Sequence, residues 1–232
     1  METTTDTVPK VDRPGWPEIV VGIAAMAVVG LGLPIAASGQ VDLTSPVGGA
    51  ILACLSGVAG LAGFAAAAAV RRRPLRSFGI RRASARWMWW GVAGGVLALL
   101  AKGLLTPLFL MLAEVPTDTQ AGYAAGASSG PWLLVVTAIG LAVLTPIGEE
   151  FFFRGVVTTG LLRYGAVAAT LGSAVIFALL HGINVVLPAA LIVGIITAEL
   201  RRRSDSVWPG VVVHAFNNSI TVIAYALVPG IV

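Results

Sequence analysis

The sequence predicts an all-α fold: a polytopic transmembrane helical bundle of about seven spans (six to eight), with a buried polar site among the C-terminal helices. Three observations predict it. Of the 232 residues, 57% are hydrophobic and only 11% charged, and the mean hydropathy is +0.90. That leaves too little polar surface to cover a soluble globule. Apolar runs of about 20 residues, the length that crosses a bilayer as a helix, recur with short polar breaks between them. The basic residues gather at the ends of these runs, as they do where charge sets topology.

In chain order, residues 1–17 are polar and proline-bearing and read as a flexible cytoplasmic tail. The first span is expected from Ile19 to Ala37. Ala36, Ala37 and Ser38 resemble a signal-peptide cleavage site, but the apolar run exceeds an ordinary signal core and the preceding tail is weakly basic, which favours a retained span. A second span, Pro46 to Val70, is rich in Gly and Ala, as suits close helix packing in lipid. Cys54 within it is the sole cysteine, so a disulfide or thiolate metal cluster is excluded and a packing role remains.

Next come Arg71, Arg72, Arg73, Arg76, Arg81, Arg82 and Arg86, followed by Trp87, Trp89 and Trp90. Positive loops remain in the cytoplasm and Trp settles at the interface, so this loop is placed inside. Span three runs from Trp87 to Leu112; Lys102 in it either snorkels or partners an acidic group. Residues 113–131 carry Glu114 and Asp118 and read as an outside loop. The following apolar run, from Pro131 to Tyr164, is too long for one straight span, and Pro146 is expected to break or kink it. Spans five to seven are expected over Ala166 to Gly182, Ile183 to Glu199 and Val207 to Val228.

With the amino terminus inside, every loop Lys and Arg falls on the cytoplasmic side of a plasma membrane, and Asp42, Glu114 and Asp118 on the other. A net charge of +4 concentrated in such clusters points to anionic lipid rather than nucleic acid.

Inside the long fourth run lies Gly148-Glu149-Glu150-Phe151-Phe152-Phe153-Arg154. Each ion buried there costs at least ~2.5–3.5 kcal/mol on insertion scales, so the group must face a polar cavity and find partners. Glu150 and Arg154 are i,i+4 and suit an ion pair, while Glu149 points about 100° away and is left available as a base. The two histidines of the chain, His181 and His214, also lie in apolar runs. Phe177 stands one turn before His181, and Asn218 one turn after His214. At 1.5 Å per residue, Glu149 and His181 both lie ~20 Å from the cytoplasmic ends of their helices, whereas His214 lies only ~10 Å in and needs a tilted or late-starting helix. Taken singly, each residue also has a structural use: an interfacial salt bridge for the Glu–Arg set, a core histidine, an interhelical amide.

These residues fall into three ordered motifs: EExxxR as Glu149, Glu150 and Arg154; FxxxH as Phe177 and His181; HxxxN as His214 and Asn218. In this, and in the lead-in Ser206-Val207-Trp208-Pro209, residues from about Pro131 to Ala226 resemble the CAAX-protease and bacteriocin-processing (CPBP, or Abi) intramembrane endopeptidases. The resemblance divides the chain into the tail (1–17), N-terminal transmembrane helices (18–130) and a catalytic core (131–232). It implies that Glu149 activates water, that His181 and His214 are essential, that Asn218 stabilises an oxyanion, and that Glu150, Arg154 and Phe177 support them. A zinc ion held by Glu149, His181 and His214 and a metal-free glutamate mechanism remain alternatives, since both use the same residues.

The expected substrate is a membrane-embedded or lipid-anchored peptide. The Arg-, Ala- and Gly-rich composition suggests a GC-rich bacterial source, where prenylated CAAX proteins are not expected. The cavity is expected to open to the cytoplasm or inner leaflet. A proton- or cation-coupled transporter and a non-catalytic immunity or scaffold protein are the rival readings.

Overall fold

The computed structural model describes residues 13–228 and is all-helical, with no strand among them. Eight helices follow in order: α1 (Trp16–Ala37), α2 (Pro46–Val70), α3 (Ala85–Leu112), α4 (Ala121–Ser128), α5 (Pro131–Tyr164), α6 (Ala166–Leu180), α7 (Leu187–Ser204) and α8 (Trp208–Leu227). Five of them, α1, α2, α3, α5 and α8, are long and apolar enough to cross a membrane. Apolar α6 and arginine-ended α7 complete a bundle of seven long helices among the described residues. The short α4 lies within the stretch read as an outside loop.

Pairing is close because the helices carry small residues where they meet. Gly57 and Gly60 of α2 lie against the backbone of α5 at Leu144, Gly148 and Glu149, where a Cβ would collide with main-chain atoms. This contact brings the backbone carrying Glu149 to the bundle centre.

Four elements differ from the sequence expectation. First, residues 1–12 of the expected tail lie outside the described residues, and residues 13–17 depart from it. Pro14 and Gly15 are buried, α1 begins at Trp16, and the Pro14 carbonyl accepts from Arg163 Nη2 at 2.6 Å. Glu18 is fully buried and receives Arg71 Nε and Nη2 at 2.7 Å and Arg73 Nη1 at 2.5 Å. An ion-pair cluster thus closes the start of α1 on the end of α2.

Second, the arginine loop is more than a surface cap. Leu75–Phe78 forms a 3-10 turn that buries Phe78 completely, edge-on to Phe64 at 5.3 Å. Gly79, at φ 72°, ends the turn, and its carbonyl accepts from Val207 just before α8. Trp208, the first residue of α8, meets Phe151 of α5 edge-on at 5.7 Å.

Third, Pro146 does not break α5, which runs through all 34 residues. The helix instead widens into π-helical turns over Gly140–Leu144 and Phe151–Thr158, on either side of the glutamates. A wider turn accommodates the missing proline N–H without ending the helix.

Fourth, α7 starts at Leu187 rather than Ile183 and ends at Ser204 rather than Glu199. Gly182 is at φ 85°, and the Asn184 side chain bonds the His181 carbonyl and the Val186 N–H, which holds 181–186 as a turn. At the other end Arg202 and Arg203 fold back onto Glu199, and Asp205 caps the helix at φ 57°.

Replacing Gly148 with Val is expected to force α5 off α2 and to cost at least ~1–3 kcal/mol by overpacking, read as a lower thermal midpoint of the purified protein in detergent.

Candidate active site

Glu149 and Glu150 sit between the two π turns of α5 and are 2% and 0% exposed. Glu150 takes the charge of Arg154: Arg154 Nε donates to Glu150 Oε2 at 2.9 Å, with both side chains fully buried. Arg154 Nη1 donates to Ser173 Oγ at 2.9 Å, and its guanidinium lies 5.0 Å over the ring of Phe177. Thr158 also donates to Ser173, at 2.8 Å. The guanidinium is thereby held by two hydrogen bonds in its plane and by a ring over one face, while its Nη2 is buried without a hydrogen-bond partner.

Glu149 has a different environment. Its Oε1 accepts from Ser56 Oγ of α2 at 2.7 Å, while Oε2 is buried with no hydrogen bond. Both His181 Nε2 and His214 Nε2 lie 3.9 Å from that Oε2. The opposite ring nitrogens assign the tautomers. His181 Nδ1 is 2.9 Å from the Phe177 carbonyl, which can only accept, so Nδ1 carries the proton. His214 Nδ1 faces Glu150 Oε1 at a longer 3.4 Å, and the carboxylate selects the same tautomer. In their neutral forms both rings therefore turn an Nε2 lone pair toward Glu149. Three acceptors converge on one point, where a water can donate to two of them at a time.

Phe177 stands between the histidines, edge-on to His181 at 4.6 Å and to His214 at 5.8 Å. Asn218 is not bonded to these groups. Its Nδ2 donates to the Leu141 carbonyl at 2.8 Å. That carbonyl is free for a local reason. The Thr145 N–H reaches back to Gly140 across the π turn, and the next residue, Pro146, has no N–H to offer. The proline thus creates the acceptor that orients Asn218.

His181, His214 and Asn218 line a cavity of about 810 Å³, and Glu149 lies 3.9 Å from the two histidines of that lining. Its walls come from the C-terminal halves of α3 and α8, the start of α7, and Thr117 and Gln120. Lys102 on its wall lies 3.4 Å from Thr221 Oγ1, so this lysine faces the cavity. The lining residues belong to the end of the bundle away from the arginine loops, whereas the sequence led to an expected opening toward the cytoplasm or inner leaflet. The sequence placed depths along helices but carried no sign of which half of the bundle remained unfilled; the Phe78 plug fills the arginine end.

Sequence reasoning missed Ser56, Ser173 and Asn217. Ser173, Phe177 and His181 are spaced i, i+4, i+8, a signal that was readable. Ser56 is one small residue in a Gly/Ala run and carries no such signal. Asn217 bonds Gly95 and Val213 carbonyls at 3.1 and 3.0 Å and ties α8 to α3.

No group of three His, Cys, Asp or Glu side chains that could hold a metal occurs among the described residues. Ligand atoms about 2.0–2.1 Å from a tetrahedral zinc stand ~3.3–3.4 Å apart. The 3.9 Å separations of Glu149 from both histidines are wider, so these residues as placed do not form the zinc site considered above.

Fold and site together define a multi-pass membrane protein with a buried carboxylate–histidine centre. Residues 131–220 match the family model of the type II CAAX prenyl endopeptidase Rce1-like proteins, a segment that contains all seven motif residues. The match covers 90 of the 232 residues and is consistent with a CPBP family protease. No curated protein and no solved structure matches the chain significantly.

Replacing Arg154 with Met would leave Glu150 charged, buried and unpaired, at an expected cost of about 3–5 kcal/mol. Thermal unfolding should show it, and Arg154→Lys should recover only part, because a lysine cannot reach both Glu150 and Ser173 in one plane.

Proposed function

We propose that this protein is an intramembrane endopeptidase that hydrolyses a peptide bond of a membrane-embedded or lipid-anchored substrate. The observation that carries the reading is the convergence of both histidine Nε2 atoms on the unbonded Oε2 of Glu149. A separation of 3.9 Å is one that a single water spans with two hydrogen bonds of ordinary length.

In this mechanism Glu149 takes a proton from the water as its oxygen attacks the peptide carbonyl carbon. Ser56 on Oε1 keeps the other carboxylate lobe turned away. His181, with its lone pair on Nε2, orients the water. The tetrahedral oxyanion is held by the second N–H of the Asn218 amide and by the His214 ring when it enters the cycle with a proton on Nε2 as well as on Nδ1, both of which it keeps through the step. The C–N bond then breaks, and the departing nitrogen takes the proton that Glu149 received from the water, either directly or relayed through His181 Nε2. Glu150, Arg154 and Phe177 position these groups without touching substrate.

The substrate class follows from the cavity, whose wall is largely apolar and whose cation is Lys102. Thr221, which Lys102 meets, is seven residues beyond His214, or ~10 Å along α8. An extended peptide spans that distance in about three residues. Lys102 is thus set to receive a carboxylate a few residues beyond the scissile bond, and Lys102→Met should raise KM more than it lowers kcat.

Cleavage of a quenched lipidated-peptide panel by the protein in nanodiscs tests the reading. Glu149→Gln should abolish cleavage, and Asn218→Ala should reduce kcat by about 10²–10³-fold. A transporter using the same groups as a relay would tolerate Asn218→Ala, and a scaffold would keep its cellular activity in Glu149→Gln. A zinc chelator arm, read by thermal midpoint as well as rate, addresses the metal separately.

A further inference from the structure

A second cavity, of about 290 Å³, lies at the other end of the bundle, and the proposed chemistry makes no use of it. Four arginines border it, Arg13, Arg76, Arg81 and Arg201, against the single carboxylate of Asp205. Asp205 is already shared: Oδ1 takes Arg201 Nη1 at 3.0 Å and Oδ2 takes Arg81 Nη1 at 2.9 Å. Arg13 and Arg76 have no carboxylate partner among the described residues. Like charges held around one concave space repel each other unless an anion shares it.

The wall is built into the fold. The Arg201 side chain is 3% exposed, and its Nη2 donates to Thr159 Oγ1 at 2.9 Å. Thr159 in turn donates to the Arg154 carbonyl at 2.9 Å. Arg201 Nε packs against Gly79, the turn residue whose missing side chain makes room for the guanidinium. One arginine is therefore fixed while others at the rim remain adaptable, an arrangement that suits a multidentate oxyanion.

We propose that this cavity binds a phosphate group. Its level in the membrane favours a lipid headgroup as the source: on the same end Trp16 and Tyr164, both exposed, bond each other at 2.8 Å, the aromatic signature of a headgroup layer. A soluble phosphate offers the same chemistry.

The experiment uses the full-length protein in phosphatidylcholine nanodiscs, with phosphatidylglycerol added to the bilayer in one arm and inorganic phosphate to the buffer in the other. The readout is the thermal midpoint. Arg13→Gln/Arg76→Gln removes two walls of the cavity. Arg82→Gln/Arg86→Gln removes the same charge from the same end but outside the cavity. In the wild type one of the two probes should raise the midpoint by roughly 2–4 °C, and which one does so identifies the source. The rise should persist in Arg82→Gln/Arg86→Gln and vanish in Arg13→Gln/Arg76→Gln. An equal loss in both pairs would mean diffuse attraction to a positive face and overturn the site. Absence of a rise with either probe in the wild type would overturn it as well.

Discussion

A guanidinium buried among helices has to be met by a carboxylate and by further acceptors near its plane, and most of the C-terminal half answers that requirement at Arg154. Glu150 supplies the charge, Ser173 an oxygen and Phe177 a ring face. Those partners lie on α5 and α6, so satisfying Arg154 brings the two helices into register. Ser173 and Phe177 are on the face that ends in His181, so the same contact aims a histidine at Glu149. Glu150 has a second lobe, and that lobe faces His214 on α8. One ion pair therefore orients both histidines, while Glu149, one residue earlier, remains without a counter-charge.

The backbone contributes as much as the side chains. In an unbroken α-helix each interior carbonyl is occupied, and none would be open to Asn218. The π turn before Pro146 and the proline's missing N–H release the Leu141 carbonyl, and Asn218 fills it. The second π stretch, Phe151–Thr158, follows the glutamates directly. Wide turns of this kind are costly in a helix interior and recur where function needs a displaced group. Here both flank the same two carboxylates, so the irregularity belongs to the site.

What could be read in the sequence divides along physical lines. Helix number and type follow from apolar length, and the Glu150–Arg154 pairing follows from helical spacing, since both are local. The convergence of Glu149, His181 and His214 was inferable only from matching depths, and His214 did not match. Phe78 lies in an arginine-rich loop, and nothing local marks it as the buried residue that packs on Phe64. Ser56 was invisible for the same reason: its role depends on Gly57 and Gly60 letting α2 touch α5. Long-range packing decides such contacts, and a hydroxyl in a run of small residues looks alike whether it meets lipid or a carboxylate.

The plug also decides which way the site faces. With Phe78, the start of α8 and the Glu18 ion pairs at the arginine end, the cavity there is about 290 Å³, and the volume of about 810 Å³ lies in the opposite half of the bundle. If the arginine loops face the cytoplasm, as their charge demands, a substrate enters from the other leaflet or the other side. Glu149 then lies near the middle of α5 and the arginine cavity at its C-terminal end, with a short path from Arg201 through Thr159 to the Arg154 carbonyl between them. That separation keeps an anion-attracting surface away from a site that has to gather negative charge on a substrate carbonyl. Four arginines beside Glu149 would have neutralised the base on which the proposed chemistry rests.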